Sequence, residues 1–210
     1  MRTGSALGAL SSAAAVLVIL GACGGGAEEP TGLGSDTTEP TAATPTEAET
    51  TPTTDPAEPT EHAFPEAGLT IVEPAAANDL EATALAVYVE FAREWRRTLR
   101  EVQLSERLPV LAVPSVVEDT QGSLDYQVEN GIRYSGEMTI TLTVEQSGDN
   151  VVVLGGCADA SALTIIDDGE ERPVDGIDEH PVMPIQVVVA NSGGTGWMVN
   201  ENTFHEDQSC

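Results

Sequence analysis

The chain has 210 residues, of which 35 are acidic and only eight basic, giving a net charge of −27 at neutral pH; every basic residue is an arginine. Such a balance argues against nucleic-acid binding, since no basic patch is large enough to offset the repulsion of phosphate, and it repels an anionic bilayer surface as well. Hydrophobic residues make up 40% of the chain but aromatics only 4%, so a core has to be built from Val, Leu, Ile and Ala.

The first segment holds an apolar run from Ala13 to Leu20, followed by Leu20-Gly21-Ala22-Cys23 and then Gly24-Gly25-Gly26. The run is too short to span a bilayer, which takes about 20 apolar residues. It fits the apolar stretch of a leader peptide that ends in small residues at a cleavage point. A branched apolar residue, two small residues and a cysteine in this position resemble the signal peptide and lipobox of bacterial lipoproteins. The resemblance implies that residues 1–22 are removed and that Cys23 becomes a lipidated first residue, anchoring the protein outside the cytoplasm on the cell membrane. Each buried methylene adds about 0.8 kcal/mol, so two or more acyl chains hold firmly. Loss of Arg2 with the leader takes the net charge from −27 to −28.

Residues 23–70 read as a disordered tether. Thr, Pro, Glu, Ala and Gly dominate, and ten acidic residues lie from Glu28 to Glu66 with no Arg among them. A tract of this kind buries too little apolar surface to offset the entropy of ordering it. Even as a flexible coil it reaches about 35–40 Å, and its prolines and like charges extend it further. A spacer is the simplest role; Thr-Pro clusters such as Thr51-Pro52-Thr53-Thr54 also suit an O-glycosylated stalk.

Residues 74–210 form the expected globular domain. Asn78 or Asp79 caps a helix, with Glu81 in its first turn. Apolar residues then recur at Leu80, Ala84, Tyr88, Phe91, Trp95, Leu99 and Val102, a continuous stripe along a long amphipathic helix that Leu108-Pro109 ends. Arg93, Arg96, Arg97 and Arg100, interleaved with Glu90, Glu94 and Glu101, read as its solvated face with weak ion pairs; docking of an anionic ligand is the alternative. Ser115–Gln121 suits a short second helix. Met138, Ile140, Leu142 and Val144 alternate with Thr139, Thr141, Thr143 and Glu145 as a half-buried strand. Ser147–Asn150 is a turn, Val151–Ala158 an antiparallel partner, and Leu163–Ile166 an extension of it. Asp167–Gly176 reads as a polar loop, Pro184–Ala190 and Gly196–Val199 as closing strands. The expected fold class is therefore α+β: a long N-terminal helix and a short helix packed on a curved antiparallel sheet of about four to five strands.

A helix bearing Tyr88 and Trp95, then Gly131-Ile132-Arg133-Tyr134-Ser135-Gly136, then Cys157-Ala158-Asp159, then Gly196-Trp197-Met198-Val199, is similar to actinobacterial lipoproteins whose domain resembles the nuclear-transport-factor-2-like (NTF2-like) cone. The resemblance runs from about Ala75 to Cys210. It implies a cone-shaped pocket and is nearly silent on activity, because that fold hosts enzymes, binding modules and assembly domains alike.

With Cys23 lipidated, Cys157 and Cys210 remain in an oxidising compartment, where a disulfide would pin the C-terminal tail to the sheet; two free thiols are the alternative. Neither a metal site nor a cofactor motif is recognisable: His62, His180 and His205 are scattered, and the acidic residues from Asp167 to Glu179 do not follow an EF-hand spacing. Tyr88, Trp95, Asp125, Tyr126, Asp159 and Trp197 are the candidate pocket-facing side chains. Two functions follow from this. One is a non-catalytic module that binds an envelope protein or a small apolar ligand, or serves envelope assembly. The other is a small hydrolase or isomerase working at the mouth of the cone.

Overall fold

A computed structural model describes residues 58–194 and 196–210. Cys23, the leader and most of the tether lie outside these residues. The elements run β1 (Thr60–Phe64), β2 (Leu69–Glu73), α1 (Asp79–Glu101), α2 (Leu108–Leu111), α3 (Pro114–Asn130), β3 (Ile132–Gly136), β4 (Met138–Ser147), β5 (Val151–Asp159), β6 (Leu163–Asp167), β7 (Glu170–Pro173), β8 (Val182–Asn191) and β9 (Trp197–Phe204).

This overturns the expected fold class. Among the described residues nine strands form two sheets, one of six strands in the order β1-β2-β4-β5-β8-β9 and one of three in the order β3-β6-β7. The larger sheet is mixed, because β2 runs parallel to β4. Parallel neighbours cannot be joined by a tight turn, and the connection from β2 to β4 holds α1, α2, α3 and β3. The helices are thus one crossover on a predominantly β domain, and α1 is not the N-terminal element. The folded domain also includes residues before 74: Thr60–Phe64, inside the stretch read as tether, and Leu69–Glu73, which straddles its end at residue 70, form a hairpin. Its turn is closed by Ala67 N–H to Phe64 O and Gly68 N–H to Pro65 O.

Local chemistry explains the element ends. Asn78 Oδ1 accepts from the backbone N–H groups of Leu80 and Glu81, so two of the orphan donors at the start of α1 are satisfied, while Glu81 Oε2 accepts from Ala77 N–H just before the helix. Helix α3 runs well past Gln121. It tolerates Gly122 because that position opens to solvent and loses only backbone entropy, about 1 kcal/mol.

The core lies between α1 and the larger sheet. Leu85, Tyr88, Phe91 and Ala92 bury against Ile140 and Leu142 of β4, Val152 and Leu154 of β5, and Ile185, Val187 and Val189 of β8. The alternation read on β4 has this cause: Met138, Ile140 and Leu142 point inward.

The arginine-rich side of α1 is not a solvated face. Glu94 and Arg96 are each only 1% exposed. Glu94 accepts from Arg93 Nη2 at 3.0 Å, Arg97 Nη2 at 2.5 Å and Ser105 Oγ at 2.7 Å. Arg107 pairs with Glu90, tying the segment after α1 back onto the helix.

Arg96 and Arg100 reach the other way. Arg96 Nη2 donates to Ser135 O at 2.9 Å, and Arg100 Nη1 donates to Gly136 O at 2.6 Å. The approach is close enough to require glycine. Gly68 and Gly136 both take left-handed conformations (φ 58° and 69°). A Cβ on Gly68 would run into Arg100 and the Gly136 carbonyl, and one on Gly136 into the Ala162 carbonyl.

Candidate functional site

A cleft of about 530 Å³ opens beside this arginine pair, within the size range of small-molecule sites. Trp95, Arg96 and Leu99 of α1 form one wall, and Val116, Thr120 and Ser123 of α3 a second. Tyr134 of β3, Met138 of β4, Met183 of β8, and Asn202 and Phe204 of β9 also line the cleft, with Ala160, Leu163, Val174, Gly176 and Ile177. Asp119, Asp175, His180 and Glu206 also line it. The Trp95 and Phe204 rings stack with centroids 5.4 Å apart and planes 20° apart, giving a flat aromatic surface.

Two buried polar atoms in this lining have no hydrogen-bond partner among the described residues: Arg96 Nε and Asn202 Oδ1. Burial, helped by the charge of Arg100 and opposed by Tyr134, pushes the Arg96 guanidinium down to about 10. It therefore remains a cation at neutral pH. Burial also holds the Tyr134 phenol above its ordinary range, Tyr126 and Glu206 add to the shift, and Arg96 opposes it.

The exposed groups are better satisfied. Asp175 accepts from Arg172 Nη1 at 2.9 Å, and Arg172 also bonds Asp167. His180 Nδ1 lies 2.8 Å from Ser209 Oγ in the C-terminal tail. That tail is held along the start of β8 by His205 N–H to Pro184 O and Cys210 N–H to Val182 O. The Cys157–Cys210 bridge fixes its end, with the two Cα atoms 6.2 Å apart. The tail thereby carries Glu206 to the cleft. Among the described residues no three His, Cys, Asp or Glu side chains group as metal ligands, and β7 occupies the stretch read as a polar loop.

Of the six side chains expected to face a pocket, Trp95 does. Tyr88 is 1% exposed inside the core, and burial raises its phenol far above the ordinary range. Asp125 sits on the outer side of α3, bonded to Gln121, and Tyr126 beside it is 55% exposed. Asp159 is exposed at the end of β5, where hydrogen bonds from Ser161 keep its carboxyl low. Trp197 packs partly buried against the core at the start of β9 and is not among the lining residues. Composition and spacing missed Met183, Asn202 and Phe204; they named Tyr134 in a motif, and Arg96 among four arginines that could dock an anionic ligand, without placing either at a pocket. One further signal singles out Arg96: Leu85, Val89, Ala92, Arg96 and Leu99 recur at helical spacing, so a single charge stands in an otherwise apolar stripe.

No family model matches the chain. No curated protein matches it either. Among solved structures it is similar to the intermembrane-space region of the chloroplast protein ARC6, with 14% identity and a TM-score of 0.42 over 61% of this chain and 98% of that one. A likeness of that size says nothing about the activity, location or partners of this chain.

Proposed function

We propose that the chain is an extracytoplasmic lipoprotein of the actinobacterial kind, held to the cell membrane by a lipidated Cys23, and that its folded domain is a non-catalytic binding module. The cleft between α1, α3, β8 and β9 takes a small ligand with an apolar body. The observation that carries this reading is the cleft itself: it is about 530 Å³, with one apolar surface made by the stacked Trp95 and Phe204 with Leu99 and Met183, and with polar and charged side chains, among them Arg96, Tyr134 and Asn202, over the rest of its lining.

The cysteines support the location. A disulfide between Cys157 and Cys210 suits an oxidising compartment. It leaves Cys23 as the odd thiol, placed after Leu20-Gly21-Ala22. A Cys23→Ser variant is expected to move from the membrane pellet to the soluble fraction; a variant that still pellets with the membrane overturns the anchor. The binding half is tested by titrating neutral phenylbutanol into the full-length chain and following it by saturation-transfer NMR, with one saturable site expected.

A second reading, a small hydrolase or isomerase, rests on Tyr134, His180 and Glu206 lining the same cleft. The geometry favours it less. His180 is hydrogen-bonded to Ser209, and no hydrogen bond among the described residues joins it to a carboxylate. A phenol held above its ordinary range is a poor base near neutral pH. Ester hydrolysis lost on His180→Ala would favour the enzyme.

A further inference from the structure

We infer that Arg96 makes the cleft selective for ligands that carry a carboxylate on an apolar body, the carboxylate meeting the guanidinium and the body lying against Trp95 and Phe204. This rests on the cleft being a ligand site and adds the chemistry of the ligand's head.

The argument starts from the cost of the arginine. Arg96 is 1% exposed, and among the described residues no carboxylate lies within ion-pair distance of it; the ion pairs of α1 involve Arg93 and Arg97 instead. Burying a cation without a counter-ion is strongly unfavourable, because the lost hydration is not replaced by an opposite charge. Its bonds to the Ser135 and Gly136 carbonyls use Nη2 alone, and Nε stays buried with no partner. Tying α1 to the end of β3 does not require the burial, because the less buried Arg100 bonds the same Gly136 carbonyl. The unused donor edge belongs to a group whose planar fork matches a carboxylate, and Arg96 lines an open cleft.

Acidic residues at the cleft do not reverse this. Asp119 and Glu206 are exposed, and Asp175 is bonded to Arg172. Exposed charges act through water and are screened by salt, whereas a charge brought next to a buried guanidinium interacts through a medium of lower dielectric and is screened much less. Arg96 in the α1 wall therefore outweighs the exposed carboxylates for a head group that reaches it.

The test compares phenylbutyrate with phenylbutanol, two probes alike except for the head group, on the full-length chain. Phenylbutyrate is expected to bind about tenfold or more tightly, as one charge-assisted hydrogen bond to a buried group implies. The NMR resonance of Arg96 Nε–H is expected to move with phenylbutyrate and not with phenylbutanol. Arg96→Met should bring the two affinities together, and Arg96→Lys should keep the preference. Equal affinities in the unmodified chain overturn the inference and leave the cleft as an apolar site. Binding of neither probe overturns both. Should Arg96→Met fail to fold, the ratio and the Nε shift in the unmodified chain still decide.

Discussion

A Cys157→Ala/Cys210→Ala variant is expected to unfold with about 4 kcal/mol less stability than the unmodified chain. The bridge spans 53 residues of sequence, and closing a loop of that length removes about 4 kcal/mol of chain entropy from the unfolded state. For a domain of this size each kcal/mol moves the melting temperature by about 2–4 °C, so calorimetry should record a fall of about 8–16 °C. Reductant added to the unmodified chain should produce the same fall. The effect extends to the cleft, because the bridge ends the tail that carries Glu206 to it and places Ser209 against His180. Hydrogen exchange should accelerate at Cys210 N–H and His205 N–H, which bond Val182 O and Pro184 O, and less at the central residues of β8. An unchanged melting temperature would show that the tail contributes nothing to folding.

Glu94→Ala is expected to cost about 3 kcal/mol. The carboxylate is 1% exposed and accepts three hydrogen bonds, from Arg93, Arg97 and Ser105. Removing it leaves the proton of the buried Ser105 hydroxyl without its acceptor and two cations without their shared counter-ion. The cost stays below the upper range for buried pairs because both arginines reach solvent, at 35% and 37% exposure. The pH dependence has a definite sign. Burial alone pushes the Glu94 carboxyl up; the hydrogen bonds from Ser105 and Arg93 and the charges of Arg97 and Arg93 more than reverse this, so it sits below the ordinary range. A group whose folded value is depressed stabilises fully above its unfolded value, about 4.3 for glutamate, and loses that contribution as pH falls toward the folded one. The stability gap between the unmodified chain and Glu94→Gln should therefore be steady from about pH 7 to about pH 5 and shrink below about pH 4. A gap that widens on acidification would contradict the assignment.

The elements that show in the sequence are those with one face buried and one face wet. The apolar spacing from Leu80 to Leu99 falls on α1, and the Thr alternation of β4 falls on the sheet face over the core. The architecture around them does not show, and for specific reasons. Strand β1 exposes Thr60, Glu61 and Ala63, so nothing distinguishes it locally from the acidic tract before it. Strand β7 is Glu170-Glu171-Arg172-Pro173, with no apolar residue at all. Both exist through pairing with a neighbour, which local pattern does not encode. The parallel β2–β4 pairing is longer-range still, joining Leu69–Val72 to Met138–Thr141. The site was only partly legible for a related reason. A charged residue on a helix is ordinarily solvated, so anion docking by Arg96 stood only as the alternative to a solvated face, although Ala92 and Leu99 on the same stripe are both buried. The remaining walls, Tyr134, Met183 and Phe204, come from three strands that only the tertiary fold brings together.

The central claim is that the cleft beside Trp95 and Phe204 is where this domain binds its ligand, and filling it is the most direct measurement. Ser123 lies on the α3 wall and is only part-buried. A Ser123→Trp variant should place an indole in the opening while leaving the core between α1 and the larger sheet untouched. With the melting temperature retained, phenylbutanol is expected to lose its saturable binding to the variant while binding the unmodified chain at one site. Equal binding to the two proteins would contradict the account, because the ligand would then sit elsewhere on the domain.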